Sequence, residues 1–119
     1  MTLNELLNVL NTDASRIEFS DVQTVINDCY DYKARKFTNG LSKTAVVNDA
    51  GTNEGSCKIF AFAQLNKLSK EQTLSCFGHY YRQDVLENPS NDDHQNIRNF
   101  IKDGWPGIQF EGAALTLKK

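Results

Sequence analysis

Cys57 is the side chain best placed for covalent chemistry. It follows Gly51-Thr-Asn-Glu-Gly55-Ser56 and precedes Lys58, where the pattern predicts the start of a helix. Amides at a helix N-terminus and a nearby cation both stabilise a thiolate, the reactive form of cysteine. A thiol nucleophile also needs a base within hydrogen-bond reach. The chain offers His79 and His94. His94, at the start of the last predicted helix, is the candidate, with Asp92 or Asp93 to orient it. The competing reading makes Cys57 a small residue packed where helix meets loop. Cys76 and His79 are read as packing or structural residues.

The segment from Gly51 to Lys58 also suggests an anion site. It lies between a short predicted strand and a helix, as a phosphate-binding loop does. The spacing fails, because three residues rather than four separate the glycines and no Gly-Lys-Ser/Thr ending follows. What survives is an anion resting on the helix N-terminus, held by Gly55, Ser56 and Lys58, against simple capping as the alternative. Arg82 and Arg98 on adjacent helices are candidates for bidentate binding of a carboxylate or phosphate, or for structural ion pairs with Asp84 or Asp103. Tyr81 and Trp105 are candidate aromatic anchors beside them. A core role for Trp105, with its indole N–H hydrogen-bonded, competes with that reading. Asn91-Asp92-Asp93-His94 is explained by N-capping, and no metal site or cofactor is expected, because adjacent residues do not point to one face. Tyr30, Tyr32, Lys33, Arg35, Lys36 and Phe37 form a small aromatic–basic patch, read as a solvated arm.

Helices must carry most of these groups. Thr2 and Glu5 have capping-box spacing, and Leu3, Leu6, Leu7 and Leu10 form one stripe. Ser20 and Gln23 repeat that spacing ahead of Val22, Val25, Ile26, Cys29 and Tyr30. Helical period is then lost. Asn39-Gly40 is a two-residue turn signal, and Thr44 to Val47 suits a strand. Asn48 to Ser56 is turn-rich throughout, and loops of that kind often carry function. A central helix capped by Ser56 runs from Cys57 to Leu68 and should be the most buried. Ser69 and Gln72 open another, with Leu74, Phe77, Gly78, Tyr81 and Val85 on its face, ending near Pro89. Asn91 or Asp92 caps a last helix that stops at Gly104. Ile108 and Phe110 alternate with polar neighbours as in a strand. The expectation is a mainly α (α+β) protein over residues 1–119. It has about five helices, and short strands near 36–47 and 107–111, in one domain.

Composition narrows the classes. The chain has 119 residues, 39% of them hydrophobic, enough for one core and too few for two large domains. Thirteen Lys and Arg against fifteen Asp and Glu give a formal charge of −2, so nucleic acid is an improbable partner. The longest apolar run, Ile59 to Ala63, is five residues, so no membrane-spanning helix is expected. The first ten residues lack the features of a secretory signal. Three cysteines without a CxxC pair suit thiols in a reducing compartment.

Four stretches taken in order have a family likeness. They are Gly55-Ser-Cys-Lys-Ile-Phe-Ala-Phe-Ala63, Cys76-Phe-Gly-His-Tyr-Tyr-Arg-Gln-Asp-Val85, His94-Gln-Asn-Ile-Arg-Asn-Phe100 with Gly104-Trp105, and Gly107-Ile-Gln-Phe-Glu-Gly112. The chain resembles the HopJ type III effector family from about Thr2 to Leu117. The resemblance implies a bacterial protein, with export to a host cell and a part in virulence behind the family's name. It implies no reaction, and therefore no catalytic residues. Type III signals are usually flexible and Ser-rich, whereas a capped leucine helix opens this chain, so the bacterial cytoplasm is the expected location. The leading functional expectation is a binding or interaction protein whose partner is another protein or a small anion. The alternative is a thiol-dependent enzyme or redox-responsive protein that uses Cys57 with His94.

Overall fold

The computed structural model describes residues 1–118. The chain forms five α-helices, α1 (Leu3–Thr12), α2 (Phe19–Cys29), α3 (Glu54–Leu65), α4 (Lys70–Ser75) and α5 (Gln95–Asp103). A π-helical segment, Tyr80–Val85, lies between α4 and α5. Five three-residue strands accompany them: β1 (Tyr30–Tyr32), β2 (Phe37–Asn39), β3 (Val46–Asn48), β4 (Ile108–Phe110) and β5 (Leu115–Leu117). All pairings are antiparallel, in the orders β1-β5 and β3-β2-β4. The α+β expectation holds, as do the strand regions near 36–47 and 107–111. The β1–β5 pair was not anticipated. Tyr30 leaves the stripe of α2 to pair with Leu117.

Two local signals act as expected. Thr2 Oγ1 accepts from the Glu5 amide at 3.1 Å, and Glu5 Oε1 accepts from the Thr2 amide at 3.2 Å. Ser69 and Gln72 repeat the exchange at 3.1 and 2.9 Å, capping α4. Ser20 does not cap. Helix α2 starts two residues earlier than a Ser20 cap would set it, at Phe19 with Glu18 at the N-cap, and the Phe19 ring is held by neighbours distant in sequence. It meets Tyr80 edge-on at 5.1 Å between centroids. A Cβ on Gly55 would stand 2.9 Å from its Cζ, and one on Gly78 2.6 Å from its backbone nitrogen. Gly78 also has φ +58°, so the helix expected from Ser69 to Asn88 breaks there into α4 and the π segment.

Other boundaries shift for similar reasons. Asn39-Gly40 is no two-residue hairpin turn, since Asn39 pairs with Val46 across a longer loop. Helix α3 starts at Glu54, with Asn53 rather than Ser56 at its N-cap. Helix α5 is preceded by His94, not capped by Asn91 or Asp92. Both preceding residues are left-handed, Asn53 at φ 50° and His94 at φ 51°.

Helix α3 is the buried centre, as expected. Cys57, Ile59, Phe60, Ala61, Phe62 and Ala63 are all inaccessible or nearly so. Such a helix is apolar on several faces, which is why its period is blurred. Phe60 touches the rings of Phe37, Phe77, Phe100 and Trp105 at 5.0–6.4 Å between centroids. Fully burying each such ring contributes roughly 1.5–3 kcal/mol. This aromatic knot joins α3, the β2 strand, α5 and the turn after it, and so sets where the first turns of α3 and α5 lie. No helix among the described residues is long and apolar enough to cross a membrane.

Candidate functional site

Residues of α2, α3 and α5 line a cavity of about 500 Å³. Asn53, Gly55 and Ser56 form one wall, at the start of α3. His94, Gln95 and Asn96 form another, at the start of α5. Phe19, Phe77, Tyr80, Ile97 and Val46 supply apolar surface. Neither helix has a side-chain cap among the described residues. Within each, the first in-chain amide bond comes at the fourth residue, Cys57 to Asn53 at 3.0 Å and Arg98 to His94 at 3.1 Å. The amides of Glu54, Gly55, Ser56, Gln95, Asn96 and Ile97 thus have no protein partner among the described residues. Two positive helix ends meet at one cavity.

A buried asparagine network holds those ends in place. Asn39 Nδ2 donates to the Asn96 carbonyl at 2.7 Å and to Asn96 Oδ1 at 3.1 Å. Asn48 and Asn96 exchange amide bonds of 3.1 and 2.8 Å. Asn53 Nδ2 donates to Asn48 Oδ1 at 2.7 Å. Asn99 Nδ2 donates to the carbonyls of Asn39 and Thr44 at 3.1 and 2.8 Å. Sequence patterns assign Asn39, Asn48 and Asn53 to turns and give Asn96 and Asn99 no role. Asn39, Asn48 and Asn53 stand in the segment of lost period, and Asn96 and Asn99 in the last predicted helix, within the His94–Phe100 stretch.

The structure gathers Gly55, Ser56 and His94 around the cavity, while Cys57 does not line it. The Cys57 thiol is 1% exposed and points to the Arg35 carbonyl at 3.9 Å. Its backbone amide is already used in the helix. Burial pushes the thiol above its ordinary range and outweighs the hydrogen bonding and the Lys58 charge that pull the other way. His94 Nε2 instead pairs with Asp84 Oδ2 at 3.0 Å. Cys57 and His94 therefore form no nucleophile–base pair. Cys76 is also buried, which pushes its thiol up to about 12.

The remaining candidates stand apart from the cavity wall. Lys58 Nζ donates to Asn27 Oδ1 at 3.2 Å and sits 4.8 Å over the Tyr32 ring. Tyr32 in turn donates to Glu54 Oε1 at 3.2 Å, and burial raises its pKa. Arg82 Nη2 donates to the Ile17 carbonyl at 2.6 Å, locking the entry to α2. Arg98 Nη2 binds Asp93 Oδ1 at 2.6 Å and also reaches the Asp84 carbonyl at 3.4 Å. That bond to Arg98 holds the Asp93 carboxyl below its usual range. Tyr81 is half-buried against the core. Trp105 Nε1 donates to the Leu68 carbonyl at 3.2 Å, with its ring against Phe60 and Phe100.

The site is a cavity with polar and aromatic walls between two uncapped helix N-termini in a small α+β domain, and Cys57 lies outside it. The chain matches the HopJ type III effector protein family over residues 3–115, and it belongs to that family. Among solved structures, the chain is similar to the crystal structure of an unknown-function protein, VPA0580. The two are 54% identical with a TM-score of 0.93, covering 99% of this chain and 95% of that one. No curated protein matches the chain.

Proposed function

We propose that this protein binds a small organic anion, a carboxylate or phosphate joined to an apolar group, in the cavity between α3 and α5. The observation that carries the reading is the meeting of two uncapped helix N-termini at one aromatic-walled cavity. The free amides of the cavity-lining Gly55, Ser56, Gln95, Asn96 and Ile97 match the negative head, since helix N-termini attract anions through oriented N–H groups and the dipole. Phe19, Phe77 and Tyr80 match an apolar body. Gly55 and Ser56 are the expected contacts at the head, through their backbone. Lys58, Arg82, Arg98, Tyr81 and Trp105 support the fold around them. The thiol alternative is not favoured, because Cys57 is buried and has no base. Three free thiols suit the bacterial cytoplasm as the setting.

The test is an NMR titration of backbone amides with benzoate and phenyl phosphate, with benzyl alcohol as the neutral control. The expected result is saturable shifts at Gly55, Ser56, Gln95 and Asn96 with the anions and not with the alcohol. Val46→Trp should fill the cavity and weaken binding at least tenfold. Absence of localised shifts with either anion up to about 10 mM, a level at which even weak ligands register, sinks the proposal.

A further inference from the structure

Beside the cavity, a π-helical segment and the left-handed residue before α5 bring Asp84 to the adjacent pair Asp93 and His94. Asp84 Oδ2 lies 3.0 Å from His94 Nε2, and Asp93 Oδ2 lies 3.8 Å from the same nitrogen. All three donor atoms stand within 4.8 Å of one another. The residues are half-buried or exposed, so an ion can enter from solvent. We propose that Asp84, Asp93 and His94 form an open divalent-metal site for Zn2+ or a similar first-row ion.

The donor set and spacing support this reading. Imidazole with two carboxylates suits first-row divalent ions better than Ca2+ or Mg2+. Ligand atoms about 2.0–2.2 Å from one ion stand roughly 3–3.6 Å apart, so the 3.0 and 3.8 Å separations to His94 Nε2 need only small side-chain shifts. A hydrogen bond pairs Asp84 with His94, and Asp93, held by Arg98, brings a second carboxylate oxygen to the same nitrogen. Asp93 and His94 are also oriented from outside. Arg98 grips the other oxygen of Asp93. The Tyr80 ring packs on His94 at 5.3 Å. The π segment that carries Asp84 is a rare conformation, frequent at functional sites. Three protein ligands leave further positions for water or a ligand, as in open zinc sites. His94 also lines the cavity, so a bound ion would add positive charge at its rim. The site uses side chains where the anion reading uses backbone amides, so either can fail alone.

The test uses the chelator-treated protein with metal alone. Mn2+ at substoichiometric levels should broaden the NMR signals of Asp84, Asp93, His94 and Gln95 first, and excess Zn2+ should reverse the broadening. In calorimetry, Zn2+ should bind one to one. Asp84→Asn and His94→Asn should each weaken it at least tenfold, whereas Cys29→Ser should leave it unchanged. Asparagine suits the left-handed backbone at position 94, so the second variant keeps its fold. Broadening centred elsewhere, or Zn2+ affinity unchanged in both variants, overturns the site.

Discussion

At the scale of single residues, cysteine environment decides which chemistry is open. Cys57 and Cys76 lie in the core and Cys29 is only partly buried. A thiol reacts through its thiolate, and burial disfavours that charge. Native labelling with iodoacetamide should therefore mark Cys29 first, and Cys57 and Cys76 only after unfolding. Fast labelling of Cys57 below pH ~8, lost in Cys57→Ser, would revive a nucleophile whose ordinary pKa is about 8.5. Raised thiol pKa values also set a pH dependence. The unfolded thiols ionise above about 8.5 while the folded ones stay protonated, so their contribution is full below that pH. It declines as pH rises toward about 12, the folded value of Cys76. Urea unfolding at pH 7 to 10 should show this loss, and Cys76→Ala should flatten it. An unchanged slope would assign the alkaline loss to other groups.

At the scale of elements, asparagine amides rather than apolar contacts fix the start of α5 against the β2–β3 pair. Asn96 is 7% exposed and its side chain serves both Asn39 and Asn48. Replacing it with alanine leaves several buried polar atoms without partners, a cost of roughly 2–3 kcal/mol. Thermal melts of Asn96→Ala should show that loss, and anion binding should weaken as the α5 wall loosens. A loss under about 0.5 kcal/mol, typical of a surface change, would mean the network does not hold the cavity.

At the scale of the molecule, one core and a strand pair joining distant segments link every element. Tyr30 pairs with Leu117, and Phe60 collects rings from β2, from the turn after α4, from α5 and from the turn after α5. Such a chain should unfold in one step. Urea curves from Trp105 fluorescence and far-UV circular dichroism should coincide, as two-state behaviour requires. Separate midpoints would show that β1–β5 or α1 melts on its own.

The sequence by itself determined the capped starts of α1 and α4, the stripes of α1 and α2, the buried identity of α3 and the α+β class. Each rests on neighbours within about four residues, where a hydroxyl meets an amide three positions on or side chains recur along one helix face. Family membership was also legible, because its motifs lie along the chain in order. Only tertiary structure decided the site. Cys57 looks activated until the core closes over it. Asp84 meets His94 because the chain bends at Gly78 and again before α5. Phe19 overrides Ser20 as the start of α2 because Gly55 and Gly78 leave room for it. Asn48 and Asn96, turn-like and unremarked in sequence, become the frame of the cavity across a separation of 48 residues. Burial and the identity of a hydrogen-bond partner depend on such distant contacts, and no local pattern carries them.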